Sequence, residues 1–337
     1  MSSILTNSSA LSALQSLSQT ESALKSTENQ VSTGLAVSSA KDNASYWSIA
    51  TQLSADSGVV TAANSALSQS QAVLSTASSA ISSVTSTIAQ IETALTQATN
   101  PGADLSAIET TLVGLSTQLV STVKAASFNG LNVLDNSTMT SSAANTGSLA
   151  FVSGFNATAT GGAVNTITLN TQGLINGGTA DTSPTSAGTV GTGILDGATT
   201  YTTVATTTGG GGVASNTTGT TINLLTLGSS LATAATTSST NAANEAQNLL
   251  AGVSSVLNSL TSYAAQIGTT QDAMTAASTF NSALTTNYST GVSALVDADM
   301  NTASTRLQAL QTQEQLGIQS LSIANQNSQL ILKLFNG

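Results

Sequence analysis

The apolar positions of this chain fall into stretches of different rhythm. Near the start, Leu14, Leu17, Leu24, Val31 and Leu35 follow three-, four- and seven-residue steps. Met300, Ala303, Leu307, Leu310, Leu321, Ala324, Ile331 and Phe335 do the same at the other end. That spacing lays one apolar stripe along a helix, and such a stripe needs a partner helix. The expected partners are the opposite terminus and the termini of neighbouring copies. Glu21 and Glu28 fall within the first stretch, which is therefore not wholly apolar.

Val60, Leu67, Leu74, Ile81, Ile88 and Leu95 recur every seventh residue. They predict one helix from about Asn43 to Ala98, ~80 Å long at ~1.5 Å per residue, which is a rod rather than a globular core element. Gly34 is a stop before it, and Ser38-Ser39 can cap it. Asn100-Pro101-Gly102 ends it. Asp104 or Ser106 can cap a further helix through Leu112, Leu115, Leu119 and Val123, and Phe128-Asn129-Gly130 then predicts a turn.

From 136 to about 240, Gly and Thr dominate and helical periodicity disappears. Leu149 to Val152, Thr166 to Leu169 and Thr221 to Leu225 read as short strands between glycine-rich turns. The helical pattern returns near Asn241 with Leu249, Val253, Val256, Leu260, Tyr263 and Ile267 on one face. It continues, with room for an interruption, into the C-terminal stripe. The fold class is mainly α with a small β insert, a long coiled-coil-like rod built from both termini.

Composition narrows the function. Of 337 residues, 6% are charged and 3% aromatic, with a net charge of −10. So few charges fit an assembling or partly disordered chain. Five basic residues spread over the whole length cannot neutralise phosphate, so neither nucleic acid nor an anionic membrane is an expected partner. Without Cys or His there is no disulfide, no thiolate or imidazole metal site and no His-based catalysis. No apolar run reaches the length of a membrane span and no cleaved secretory signal is visible.

The remaining candidates for chemistry are weak. Asp297 and Asp299 stand two apart, so on a helix they would not face each other, and they read as a polar joint or cap. The Gly209 to Gly212 run lacks the lysine of a phosphate loop. No spaced acidic loop suits calcium. No catalytic, cofactor or metal residue is assigned. Asn7, Asn136, Asn156 and Asn216 open Asn-x-Ser/Thr triplets of the kind chance supplies in so Ser/Thr-rich a chain.

Several short motifs stand in a telling order. They are Ile4 to Asn7, Val31-Ser32-Thr33-Gly34-Leu35, and Ser38-Ser39-Ala40-Lys41-Asp42-Asn43-Ala44. Ser127-Phe128-Asn129-Gly130 follows, then Ala294-Leu295-Val296-Asp297-Ala298-Asp299-Met300, then Gln311, Gln313 and Gln315 with Ala324-Asn325-Gln326 and the Leu330 to Phe335 ending. Together, and over about 1–135 and 240–337, they resemble the bacterial flagellins. Gly34, Ser39, Ala40, Asp42, Asn43, Phe128, Asn129, Gly130, Asp297 and Asp299 carry the resemblance.

The resemblance implies an inner helical domain from about 1–40 and 295–337. It implies a rod domain from 41–170 and 240–294 with a β-hairpin near 149–170, and a short outer insert at 171–239. It implies a secreted, extracellular structural subunit that polymerises with itself into the flagellar filament for motility, and not an enzyme. Leu14, Leu17, Leu24, Val31, Leu35, Met300, Leu307, Leu310, Leu321, Ile331 and Phe335 would then form the polymerisation surface. The implied partners are the flagellar cap and hook-junction proteins, an export chaperone and the flagellar type III export apparatus. The alternatives are a hook–filament junction protein and, in a different class, a secreted Ser/Thr-rich surface adhesin.

Two departures from the family pattern matter. Tyr46 and Trp47 stand where many flagellins carry small apolar residues, and read either as a bulkier packing site or as a changed subunit contact. Gln90 and Glu92 stand where flagellins sensed by the vertebrate Toll-like receptor carry two arginines. Losing bidentate donors and gaining a negative charge weakens a polar contact. A receptor-reporter assay is expected to give a weak response to this chain, and a full-strength response would contradict the reading.

Overall fold

The structure, a computed structural model, describes residues 7–135, 148–158, 161–171, 173–176, 193–197, 199–202, 218–235 and 239–335. Ile4 to Thr6, Asn136, Asn216 and the Gly209 to Gly212 run lie outside the described residues, as do the side chains of Ile331 and Phe335. Six helices are described: α1 (Ser8–Thr33), α2 (Ala44–Ala98), α3 (Leu105–Ala125), α4 (Leu227–Ala235), α5 (Ser239–Val296) and α6 (Met300–Phe335). Strands β1 (Ser148–Thr158) and β2 (Gly161–Asn170) form one antiparallel pair. Strands β3 (Thr199–Thr202) and β4 (Thr218–Ile222) form another. The chain is thus mainly helical with a small β portion. No helix among the described residues is long and apolar enough to cross a membrane.

The chain divides into two compact units, Met1–Val59 with Ala283–Gly337, and Val60–Ser282. Among the described residues, the large hydrophobic cluster lies in the second unit, from Leu67 to Met274. The seven-residue series on α2 is buried throughout, including Leu67, Leu74, Ile88 and Leu95. From α3 come Leu112, Leu119 and Val123, and from α5 Leu249, Val253, Leu260, Tyr263 and Ile267. Asp104 starts α3 by accepting from Ala107 N–H at 3.2 Å. Lys124 in its last turn opposes the negative end of the helix dipole. The helix α5 runs from Ser239 to Val296 without the interruption allowed for in the sequence.

Two other expectations need correction. The stretch read as purely strand and turn contains the helix α4, whose Leu227 and Leu231 are buried. Nine residues are too few to show a periodicity, and the helix exists through packing on α3. Gly228 permits that approach, since a Cβ there would lie 2.6 Å from Val113 Cγ2. The third strand piece ends at Ile222, where Asn223 accepts from Leu225 N–H at 2.8 Å and starts a short 3₁₀ turn.

Four loop segments are joined by backbone bonds. Leu174 N–H donates to Leu134 O, Leu195 N–H to Leu174 O, and Leu224 N–H to Leu195 O, at 2.7 to 3.1 Å. All four leucines are fully buried. Part of the stretch expected as an outer insert therefore packs into this core. The buried carboxylate of Asp196 closes the arrangement by accepting from Gly193 N–H at 2.6 Å and Asn176 N–H at 2.7 Å. A bulge between Val152 and Gly154 interrupts the β1–β2 register, and Asn281 on α5 donates to the Ser153 carbonyl there at 2.8 Å.

After α3 the chain reverses at Phe128-Asn129-Gly130-Leu131. Phe128 and Leu131 exchange both backbone hydrogen bonds at 3.0 Å, with φ +50° at Asn129 and +79° at Gly130. This is the type I′ turn that Asn-Gly favours. Buried Asn132 then donates to the Val123 carbonyl at 2.7 Å and accepts from Leu134 and Asp135 N–H. Tyr263 on α5 donates to the Val133 carbonyl at 3.3 Å.

Asn132→Ala would strand a buried carbonyl and two buried amides. The expected loss is about 2–3 kcal/mol, measured as a lower denaturant midpoint for the 60–282 unit. An unchanged midpoint would show that Asn132 does not hold this corner.

Candidate interaction surface on the paired terminal helices

The helix α1 begins where Asn7 accepts from Ala10 N–H at 3.1 Å. It ends at Gly34, whose φ of +72° lets its N–H reach back to the Gln30 carbonyl at 2.9 Å. The helix α6 begins at Asp299, which accepts from Asn301 N–H at 3.0 Å and from the Thr302 hydroxyl at 2.8 Å. The two helices pack antiparallel. Asn7 Nδ2 donates to the Ala324 carbonyl at 3.0 Å, and Leu35 pairs with Asp297 at the other end.

The packed face of α1 carries Ala13, Leu17, Thr20, Leu24, Thr27 and Val31, in steps of four and three. That of α6 carries Ala303, Leu307, Leu310, Glu314, Gly317, Leu321 and Ala324 in the same steps. Of the sequence-derived set, Leu17, Leu24, Val31, Leu307, Leu310 and Leu321 lie on this seam. Others do not. Leu14 is 52% exposed, because it sits about 100° around the helix from Ala13. Met300 is 42% exposed as the first residue of α6. Leu35 lies beyond α1, in the joint described below. Glu21 and Glu28 are exposed and off the seam.

The polar and small seam residues are instead Thr20, Thr27, Glu314 and Gly317. Counting apolar residues cannot find them, but extending the four-three rhythm through Leu310 and Leu321 does. Gly317 brings the helices close, since a Cβ there would lie 3.1 Å from Leu17 Cδ1. Beside the seam runs an open groove of about 740 Å³, lined by Ser12, Ser16, Leu17, Thr20, Gly317 and Ser320 among others. Leu11, Leu14, Leu316, Ile318 and Ile323 stand exposed on the same pair, each by more than half.

The two most distinctive sequence motifs meet at a joint. Ala36 N–H donates to the Val296 carbonyl at 2.7 Å, and Ala298 N–H donates to the Gly34 carbonyl at 2.8 Å. Ser38-Ser39 does not cap α2; that role falls to Asn43, which accepts from Ser45 and Tyr46 N–H. The two serines instead donate their hydroxyls and N–H groups to one oxygen of Asp42, at 3.0 to 3.1 Å. Exposed Ala40 completes that loop.

The other singled-out residues lie apart from the pair. Phe128, Asn129 and Gly130 form the turn of the 60–282 unit. Gln90 is exposed and Glu92 half-buried on α2. Tyr46 and Trp47, near the start of α2, are 48% and 40% exposed.

The chain matches the bacterial flagellin N-terminal helical region over residues 4–139 and the C-terminal helical region over 250–335. It is 36% identical to flagellin C of Rhizobium meliloti over 99% of both chains. The chain belongs to the bacterial flagellin family. It is also 35% identical to a flagellin of Brucella melitensis over the full length of both chains. Flagellin FljM of Caulobacter vibrioides is 29% identical over 99% of both. Flagellins are structural proteins that polymerise into the filament of the bacterial flagellum, and this flagellin is such a subunit.

In this flagellin the joint carries its own pH dependence. The Ser39 and Ser38 hydroxyls, then the Ser39 N–H, hold Asp42 below the usual aspartate range. The Thr302 hydroxyl, then the Thr302 and Asn301 N–H groups, do the same for Asp299. A carboxylate whose folded pKa is depressed contributes stability above its unfolded pKa and loses it as pH falls through the folded value. Acidification below about pH 4 is therefore expected to speed amide exchange at Ser38, Ser39 and Asn301, after correction for intrinsic rates. Asp42→Ala with Asp299→Ala should expose these amides already at neutral pH. Equal protection at both pH values would contradict the assignment.

Proposed function

We propose that the α1–α6 pair is the polymerisation element of this filament subunit. The observation that supports this is the imbalance between its apolar surface and its burial. Thr27, Ala303 and Leu310 are the buried residues of the seam, while Leu11, Leu14, Met300, Leu316, Ile318 and Ile323 of the same pair stand exposed. Exposed apolar surface of this kind marks an interaction site. Ordering a terminal segment of ~40 residues costs on the order of 40–80 kcal/mol of backbone entropy. One thin seam cannot offset that, so the termini fold when neighbouring copies cover the remaining faces.

Leu14, Met300, Leu316, Ile318 and Ile323 then contact other subunits, while Leu17, Leu24, Val31, Leu307, Leu310 and Leu321 hold the pair together. Heterologous contacts that repeat without closing give a helical tube. In it the inner domain is 1–40 with 295–337 and the rod domain 41–170 with 240–294, joined by the core-packed segments around Leu174, Leu195 and Leu224 from the stretch expected as the outer insert. Exposed Tyr46 and Trp47 make a subunit contact specific to this subgroup, and Gln90 and Glu92 weaken sensing by the vertebrate receptor.

Terminal disorder before assembly suits passage through a narrow channel. Export by the flagellar type III apparatus, a chaperone on the C-terminal segment, a cap at the growing tip and a hook-junction protein at the base follow from this reading. The subunit works as a structural protein without catalytic activity.

Electron microscopy after salt-induced or seeded polymerisation tests this. A long tube with a central channel, lost on deleting 296–337, is the expected result. Only monomers or short rings, under conditions that polymerise a control flagellin, would favour a junction protein instead.

A further inference from the structure

We propose that the α1–α6 pair has two unlike faces, a groove and a ridge, and that the ridge of one copy enters the groove of a second, pairing Glu28 of the first with Arg306 of the second. The inference rests on the reading of this pair as the polymerisation element and adds which face meets which.

Helix geometry separates the two faces. The groove of about 740 Å³ is lined from α1 by Ser8, Ser12 and Ser16 and from α6 by Gln313, Gly317 and Ser320, among others. Leu14 is two residues from Ser12 and two from Ser16, so it lies about 200° around α1 from both. Ile318 stands in the same relation to Ser320 on α6. Neither lines the groove, and they are 52% and 54% exposed. One face of the pair is thus a hollow walled by small side chains. The other carries two large apolar side chains at the same level along the helices.

The charges divide in the same way. Gln313 and Ser320 are one and two heptads beyond Arg306, which places Arg306 on the groove face. Glu21 and Glu28 are one and two heptads beyond Leu14 and continue the ridge, with Lys25 between them. All four charged residues are exposed, while Glu314 is half-buried in the seam.

The two faces also share a register. Leu17 stands against Gly317, where a Cβ would lie 3.1 Å from Leu17 Cδ1. Glu28 is eleven residues beyond Leu17, and Arg306 is eleven before Gly317. They are therefore level on the antiparallel pair yet on opposite faces, and cannot meet within one chain. Neither side chain makes an ion pair or hydrogen bond among the described residues. A second copy laid face to back, without a shift along the axis, brings the ridge over the groove and Glu28 over Arg306. Because the faces differ, the contact is heterologous. Each added copy leaves one groove and one ridge free, so growth does not stop at a dimer. Opposite charges favour this pairing, and like charges oppose ridge against ridge.

The test is seeded polymerisation of the full chain, read as the critical concentration by sedimentation and electron microscopy. Arg306→Glu and Glu28→Arg should each raise it by at least about tenfold, since each brings like charges together. The double variant should return to within about threefold of the unmodified chain. The two residues do not touch within one chain, so that recovery reports a contact between copies. Arg306→Glu with Asp272→Arg restores the net charge at an exposed position of α5 and should not recover. Ser12→Phe, which fills the groove from an exposed position, should also block assembly. Normal assembly of either single charge variant or of Ser12→Phe would overturn the proposal. So would a double variant as defective as the singles, or recovery with Asp272→Arg. If the unmodified chain then still polymerises and the 296–337 deletion does not, only this contact falls and the polymerisation element stands. An unmodified chain that does not polymerise overturns both.

Discussion

An antiparallel seam between the two chain ends, with few buried apolar side chains, is the constraint on which the rest depends. One heptad position of α1 is occupied by Ala13, Thr20 and Thr27, and the seam of α6 passes through Glu314 and Gly317. Small and polar residues bring the helices close but remove little apolar surface from water, at about 25 cal/mol per Å². The 60–282 unit shows the contrast. There Leu67, Leu74, Ile88, Leu112, Leu119, Leu260 and Tyr263 are all inaccessible, so that unit carries its own stability.

The joint between α1 and α6 turns these two thin helices into one element. Two motifs far apart in the sequence are held together by backbone bonds at Gly34, Ala36, Val296 and Ala298. Asp42 and Asp299 gather the neighbouring hydroxyls and N–H groups, so the chain enters α2 and α6 in fixed directions. Asp42 thus serves as a loop anchor and Asp299 as a helix cap.

Much of this was legible in the sequence because helices announce themselves by rhythm. The boundaries of α2 and α3, the cap at Asp104 and the Asn129-Gly130 turn all follow from local chemistry. The seam was legible only in part. Leu14 and Met300 look like seam residues by spacing alone, yet Leu14 lies about 100° around the helix and Met300 is the first residue of its own. Thr27 and Glu314 were invisible because hydrophobic counting passes over polar positions. The helix α4 was hidden for a different reason. Nine residues between Gly- and Thr-rich segments carry no readable period, and its stability comes from Gly228 against α3, a tertiary contact. The ladder through Leu134, Leu174, Leu195 and Leu224 is also tertiary, joining loops that share no local pattern.

The central claim is that the α1–α6 pair gains its stability from neighbouring copies. The most direct measurement is amide hydrogen exchange on monomer and on polymer, read separately for α1, α6 and the α2–α3 region of the 60–282 unit. Rapid exchange along α1 and α6 in the monomer, turning slow only in the polymer while α3 stays protected in both, is the expected result. Protection of α1 and α6 in the isolated monomer equal to that of α3 would contradict the claim.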